Sequence, residues 1–240
     1  MSKHHLGKPA EFDHKIITRR VDLVKNIEGF CRKDLELVDV GCGNGASLFK
    51  LSDEMKSCTG IEIFDGHKEA FENYKKQNQK ENCEFVLIDI ENEKFERQFD
   101  RLISFEVIEH LTDDKSVSEF YKFLKKGGLA AITVPNKWWI FETHGANLPL
   151  LPWNRVPLFS WLPTPIHEKY SRARIYTKNR IKNLLESVGF EILQMEYVTA
   201  PLDVLKEGSL KTFFTENIFN TDTTEVPFMA TSIFILARKN

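Results

Sequence analysis

A buried strand that runs directly into a cluster of glycines is the feature that most constrains how this chain can fold. The segment LELVDV (35–40) is typical of such a strand, and GCGNGA follows it without a spacer. The chain must turn tightly here, and Gly41, Gly43 and Gly45 let a ligand approach the backbone N–H groups without a Cβ in the way. The sequence therefore predicts a strand–loop–helix unit with a ligand at its glycine loop.

Strand and helix patterns alternate along the chain after this unit. Strands are predicted at 58–63, 83–89, 99–105 and 127–134, and helices at about 46–56, 67–79 and from the fourth strand to about 125. Alternation at this spacing predicts a parallel sheet with right-handed crossovers and helices on both faces. A last helix (177–188) and two strands (190–198 and 229–237), joined by a long polar loop, predict that the sheet ends with an antiparallel member.

Two segments lie outside this pattern, although we assign 1–240 to a single domain. The N-terminal 1–30 contains an amphipathic helix over about 13–29. The segment 135–176 contains all four tryptophans (Trp138, Trp139, Trp153 and Trp161) and six of the nine prolines. We interpret it as a lid inserted over the carboxyl ends of the strands, where open α/β sheets bind ligands. The alternative is a flap that only fills space.

Composition excludes several classes of protein. The chain has 33 basic and 35 acidic side chains, so its net charge of −2 provides no global positive field for nucleic acid. No stretch reaches the roughly 18 apolar residues of a membrane-spanning helix, and the amino terminus lacks a signal peptide's apolar core. The four cysteines include no CxxC pair, which favours reduced thiols in a cytoplasmic protein over a zinc site.

A carboxylate at the tip of the second strand indicates the kind of ligand. Glu62 follows Gly43 by nineteen residues, and a carboxylate there can accept hydrogen bonds from both ribose hydroxyls of an adenosine cofactor. Gly41, Gly43 and Ala46 also satisfy the dinucleotide pattern GxGxxG/A, so a nicotinamide cofactor stays open on the loop alone.

The wider context favours one family. The segments DVGCGNG, TGIEI, FVLIDI, FDRLISFEVIEHL, LKKGGLAAITVPN and LLESVGFEI occur in that order. In these the chain resembles class I S-adenosylmethionine-dependent methyltransferases, in the branch that contains the ubiquinone-biosynthesis O-methyltransferases. The resemblance is strongest over 35–136 and weaker over 165–199. It implies a Rossmann-like sheet of seven strands, mostly parallel with an antiparallel C-terminal strand, S-adenosylmethionine as cofactor, and methylation of a small, partly hydrophobic acceptor at oxygen.

The resemblance also implies which residues contact the cofactor. Asp39 and the loop of Gly41, Cys42, Gly43 and Gly45 would face its methionine portion, Glu62 and Ile63 its ribose, Asp89 and Ile90 its adenine, and Ser104 and Phe105 its sulfonium. For Asp89 the alternative role is a cap at the end of a strand.

The candidate catalytic residues are Glu106, Glu109 and His110, which share one face if a helix begins right after the fourth strand. A neutral His110 could act as general base on an acceptor hydroxyl. Alternatively the three residues, completed by His144 or His167, could hold a divalent cation such as magnesium, manganese or zinc. We assign no residue as an established metal ligand. A third interpretation gives Glu109 and His110 only structural roles.

Other functions stay open on the sequence. The small-RNA 3′-terminal 2′-O-methyltransferases have a comparable EVIEH segment, which makes metal-assisted methylation of RNA an alternative. A basic cluster could bind such a substrate, chiefly through Arg172 and Arg174, or form a solvated helix face; it comprises Lys169, Arg172, Arg174, Lys178, Arg180 and Lys182. The aromatic segment could contact a membrane surface without spanning it. A non-catalytic, methyltransferase-like binding module is the last alternative.

Overall fold

The computed structural model describes residues 12, 14–142, 144–146, 157–202, 205–206 and 208–240. Its helices are α1 Lys15–Lys25, α2 Ala46–Ser52, α3 Lys68–Gln77, α4 Val117–Lys122, α5 Thr164–Tyr170, α6 Lys178–Ser187 and α7 Ser209–Asn217. Its strands are β1 Glu36–Val40, β2 Ser57–Glu62, β3 Cys83–Leu87, β4 Phe99–Phe105, β5 Leu124–Pro135, β6 Phe190–Thr199, β7 Thr223–Thr224 and β8 Ala230–Lys239.

The strands form one mostly parallel sheet in the order β3-β2-β1-β4-β5-β8-β6-β7. Strands β1 to β5 pair in parallel, and β8 lies antiparallel between β5 and β6. The predicted α/β fold class is confirmed, with one strand more than predicted. The additional strand is β7, only two residues long, which pairs with the end of β6. All four parallel pairings bring carboxyl ends to one edge, where the glycine loop lies.

Two apolar clusters cover the two faces of the sheet. Neighbouring residues of β4 point to opposite sides, so Leu102 packs in one cluster and Ile103 in the other. One cluster includes residues of α4 and α6, and the other includes residues of α1, α2 and α3. The central strand β1 is buried from Leu37 to Val40 for this reason, whereas the edge strand β3 has exposed residues.

The structure differs from the sequence prediction after β4. Glu106 has a φ of +60°, outside the helical region, so no helix begins there. A single 3₁₀ turn covers Ile108–His110, Leu111 is extended, and the α-helix is limited to α4. A second difference concerns the polar loop predicted between the last two long strands, since that segment contains α7 and β7.

The flanking segments are described in part. The N-terminal helix is α1, while residues 1–11, and 147–156 with Trp153, lie outside the described residues. Within the part of the chain that is described, no helix combines the length and apolarity needed to cross a bilayer. Cys42, Cys58 and Cys83 are buried and Cys31 is partly exposed, and all four are free thiols.

A buried arginine fastens α1 to the far end of the sheet. Arg19 is 2% exposed, and its guanidinium donates to the carbonyl oxygens of Thr199 (2.6 Å), Ala200 (3.0 Å) and Phe219 (2.6 Å). These carbonyls follow β6 and α7, so one side chain joins the N-terminal helix to the C-terminal part of the chain.

Replacing Arg19 by Met should destabilise the fold. The variant leaves three carbonyls without their charged donor, for which we expect a loss of about 1.5–3 kcal/mol in the free energy of unfolding, measured by urea denaturation. The matched control is Lys25→Met on the same helix, whose ion pair with Glu54 (2.7 Å) is exposed and should contribute less than about 1 kcal/mol. Equal losses in the two variants would contradict this role for Arg19.

Candidate active site at the ends of the parallel strands

The glycine loop folds back onto the tip of β2. The N–H groups of Gly41 and Cys42 donate to the Ile61 carbonyl at 2.8 and 3.1 Å. Gly41 has a φ of +77°, and a Cβ placed on it would lie 2.3 Å from a methyl carbon of Val107. Glycine is therefore required at this position, and the loop lies directly against the turn that follows β4.

The carboxylate of Glu62 holds the loop from the other side. Its Oε2 accepts a hydrogen bond from Gly43 N (2.8 Å), and its Oε1 accepts from the N–H groups of Ile63 (2.9 Å) and Phe64 (3.0 Å). Three backbone donors thus fix a buried carboxylate at the tip of β2, as the spacing from Gly43 predicts. Ile63 and Phe64 themselves are exposed.

Asp39 lies buried beneath the glycine loop. Burial, and secondarily the negative charge of Glu62, raise the pKa of Asp39 to about 8. Burial likewise raises the pKa of the neighbouring Cys42 thiol well above its usual range. This part of the loop therefore disfavours negative charge, because burial removes water and Glu62 adds a like charge nearby.

The remaining residues assigned to the cofactor are held by local contacts. Asp89 accepts hydrogen bonds from Glu91 N (2.9 Å) and Asn92 Nδ2 (2.7 Å), the capping role considered as its alternative. Ile90 is partly buried beside it. The Ser104 hydroxyl donates to the Val40 carbonyl (2.9 Å), so it is engaged within the sheet. The Phe105 ring packs against the cluster that includes α1.

The three candidate catalytic residues lie on a turn instead of the predicted helix face. Glu106 N donates to the Thr133 carbonyl (3.0 Å), and its side chain accepts from Arg20 Nη2 (2.8 Å). Arg174 fixes the next residues, since its Nη2 donates to the Ile108 carbonyl (2.7 Å) and its N–H donates to the Glu109 carbonyl (3.2 Å). The prediction of a helix was wrong, but the turn still brings the side chains together.

A histidine from the aromatic segment completes this group. His144 Nε2 lies 3.5 Å from Glu109 Oε1 and 4.0 Å from Glu106 Oε2, and its ring centre is 5.2 Å from that of His110. Donor atoms of Glu109, His110 and His144 all lie within 4.8 Å of one another, close enough to share one metal ion. We call these three residues the Glu–His–His cluster.

The electrostatics of the cluster favour a cation. Glu109 is 3% exposed, and neither of its carboxylate oxygens has a hydrogen-bond partner among the described residues. Burial, and next the charge of Glu106, raise the pKa of Glu109 well above its usual range. A buried carboxylate without donors is costly unless a proton or a cation compensates for its charge.

Sequence reasoning offered His144 and His167 equally as the completing residue, and the structure separates them. His167 lies away from the cluster, with Nε2 2.6 Å from Glu142 Oε2. Arg20 was not identified as a site residue from the sequence. Its helical spacing from Ile17, Val21 and Val24 would have placed it on the inner face of α1.

The basic cluster of the C-terminal part is largely engaged within the protein. Besides the contacts of Arg174, Lys178 Nζ donates to the Met195 carbonyl (2.9 Å), and Arg180 binds Glu168 and the Ile175 carbonyl. Lys182 lies 3.8 Å from Glu186. These side chains bind groups of the protein itself, either around α6 or at the turn that carries Glu109 and His110. They are therefore not a continuous basic surface.

Comparisons with known proteins identify the family of this chain. A family model described as a methyltransferase domain matches residues 12–195. The ubiquinone biosynthesis O-methyltransferase of Rickettsia akari is 29% identical over 207 residues, which cover 82% of this chain and 77% of that protein. The protein of the same name from Pelagibacter ubique is 28% identical over 172 residues, covering 67% and 68%.

Among solved structures, an S-adenosylmethionine-dependent methyltransferase from Mesorhizobium loti superposes with a TM-score of 0.63. The match covers 95% of this chain and 100% of that chain at 15% identity. At this identity the likeness establishes the shared fold.

The raised pKa of Asp39 predicts a pH dependence of stability. Between its unfolded pKa near 3.8 and its folded pKa of about 8, the native state binds more protons than the unfolded state. Stability from this group is therefore complete at low pH and is lost as the pH rises, by at most about 1.4 kcal/mol per pH unit. Urea denaturation at pH 5 and pH 7 should show a steeper loss for the wild type than for Asp39→Asn. Identical pH dependence in the two proteins would contradict the assignment.

Proposed function

This chain belongs to the methyltransferase-domain family, and from that premise we propose that it transfers a methyl group from S-adenosylmethionine to a hydroxyl oxygen of a small, partly hydrophobic acceptor. The observation that carries the proposal is the convergence of Glu109, His110 and His144 beside the glycine loop. A hydroxyl acceptor needs help with its proton, whereas the sulfonium donor is already activated. The cluster, at the end of β4, would accept that proton or lower the pKa of the hydroxyl.

The cofactor assignment follows the resemblance to the family. Asp39 and the glycine loop face the methionine portion, Glu62 and Ile63 the ribose, Asp89 and Ile90 the adenine, and Ser104 and Phe105 the sulfonium. The three backbone hydrogen bonds on Glu62 leave capacity, because an ionised carboxylate offers about four lone-pair sites. Its carboxylate is thus preorganised and can still accept from ribose hydroxyls.

The donor set of the cluster fits a divalent cation. One carboxylate and two imidazoles suit zinc or manganese better than magnesium, and the two Glu109 oxygens, which accept no hydrogen bond from the described residues, can act as ligands. A cation bound there would lower the pKa of an acceptor hydroxyl. Arg20 meanwhile holds Glu106 at 2.8 Å, which keeps this second carboxylate beside the cluster. The protein's remaining task is to align the hydroxyl with the methyl carbon.

Acceptor class is inferred from the aromatic segment and the relatives. Exposed apolar side chains, namely those of Trp138, Leu158, Trp161 and Ile166, are available there for a hydrophobic acceptor. The relatives from Rickettsia and Pelagibacter are named as O-methyltransferases, which supports oxygen as the acceptor atom. RNA is disfavoured, because Arg174, Lys178 and Arg180 bind groups of the protein itself.

Replacing Glu62 by Ala should weaken cofactor binding. The variant loses the acceptor for the ribose and the tie to the glycine loop, so we expect the affinity for S-adenosylhomocysteine to fall about 10- to 100-fold in calorimetry. Glu69→Ala, an exposed carboxylate on α3, is the control and should bind as the wild type does. Unchanged affinity in Glu62→Ala would contradict the ribose assignment.

Replacing His110 by Ala should affect turnover and not cofactor binding. We expect the release of S-adenosylhomocysteine, measured with a panel of small hydroxylated aromatic acceptors, to slow at least about 100-fold while the affinity for that product is retained. Lys115→Ala, an exposed residue in the next turn, is the matched control. Wild-type rates in His110→Ala would contradict any catalytic role for the cluster.

Chelation separates the two roles considered for His110. If the cluster acts through a divalent cation, EDTA should abolish turnover by the wild type and added Mn²⁺ should restore it. If His110 acts as a general base without a cation, EDTA should leave the rate unchanged while His110→Ala stays slow.

A further inference from the structure

A buried carboxylate–histidine pair lies behind the Glu–His–His cluster. Glu142 and His167 are 1% and 0% exposed, and Glu142 Oε2 lies 2.6 Å from His167 Nε2. Removing both groups from water has a large desolvation penalty, so such a pair is weak evidence for added stability. A role in organising the site is a better explanation of its position.

The other oxygen of Glu142 faces His144. Glu142 Oε1 accepts a hydrogen bond from the His144 backbone N–H (2.9 Å) and lies 4.0 Å from His144 Nδ1. On its opposite side the His144 ring presents Nε2 to Glu109 at 3.5 Å. The imidazole therefore lies between two carboxylates, with one nitrogen facing each of them.

His167 connects this arrangement to α5. It belongs to α5, and its ring centre lies 4.9 Å from that of Phe159, another residue of the aromatic segment. His167 Nδ1 is buried without a hydrogen-bond partner among the described residues, so Glu142 is the acceptor that fixes this ring. A continuous series of contacts thus runs from α5 through Glu142 to the cluster.

We infer that Glu142 and His167 are positioning residues that orient His144 for cation binding and couple the aromatic segment to the active site. The inference rests on the proposed function of the Glu–His–His cluster. A histidine that binds a metal through one nitrogen commonly has its other nitrogen held by a carboxylate, and loss of that carboxylate typically weakens metal binding about 10- to 100-fold. Glu142 is the carboxylate placed to do this for His144.

Two variants test the inference through binding of Mn²⁺ alone, followed by electron paramagnetic resonance. Glu142→Gln keeps the shape of the side chain but removes its charge. The double variant Glu142→Leu with His167→Leu replaces the buried pair by apolar side chains, a change that proteins often tolerate without loss of stability. In both we expect Mn²⁺ affinity to fall about 10- to 100-fold, with the affinity for S-adenosylhomocysteine unchanged.

The matched control is Glu168→Gln, the neighbouring residue on α5, whose carboxylate pairs with Arg180 and not with Glu142. It should bind Mn²⁺ as the wild type does. If the wild type binds Mn²⁺ and the double variant binds it equally well, the inference is overturned while the cation in the proposed function stands. If the wild type itself does not bind Mn²⁺, both the cation and the inference are overturned.

Discussion

The close packing of Gly41 against Val107 brings the two halves of this site together. A Cβ at Gly41 would lie 2.3 Å from a Val107 methyl carbon, so the loop after β1 can approach the turn after β4 only because glycine stands there. The left-handed conformation of Glu106 directs that turn toward the loop in place of a helix. The glycine loop and the candidate catalytic residues are neighbours at this contact.

A concentration of carboxyl groups then defines the electrostatics of the site. Carboxylates from five positions lie at this end of the sheet, most of them buried: Asp39, Glu62, Glu106, Glu109 and Glu142. Arg20 pairs with Glu106, and backbone N–H groups satisfy Glu62. The pKa values of Asp39 and Glu109 are raised because burial and a neighbouring carboxylate disfavour a negative charge on either group. In the function proposed above, a sulfonium cofactor at the glycine loop and a divalent cation at the cluster would each supply positive charge there.

Much of the fold follows from the sequence because its signals are local. The parallel strands are short segments between turns that alternate with helices, and these two patterns predict the sheet. The glycine loop and the carboxylate at position 62 are equally local, since a tight turn and a strand tip fix both. The short strand β7 has only two residues, too few for a sequence pattern to predict it.

The catalytic side of the site depends on contacts between distant parts of the chain. The residues FEVIEHL read as the start of a helix, and only the tertiary contacts of Glu106 with Arg20 and the Thr133 carbonyl explain the left-handed turn. Likewise His144 and His167 are indistinguishable in the sequence. The structure separates them, because His167 pairs with Glu142 in the interior whereas His144 lies beside Glu109.

A crystal structure of the protein grown with S-adenosylhomocysteine and Mn²⁺, with anomalous scattering used to locate the metal, would test the proposed site directly. We predict a manganese peak among Glu109, His110 and His144, with the adenosine ribose on Glu62 and the sulfur facing the turn after β4. A ligand bound away from the glycine loop, or manganese bound elsewhere while the cluster side chains point apart, would contradict it.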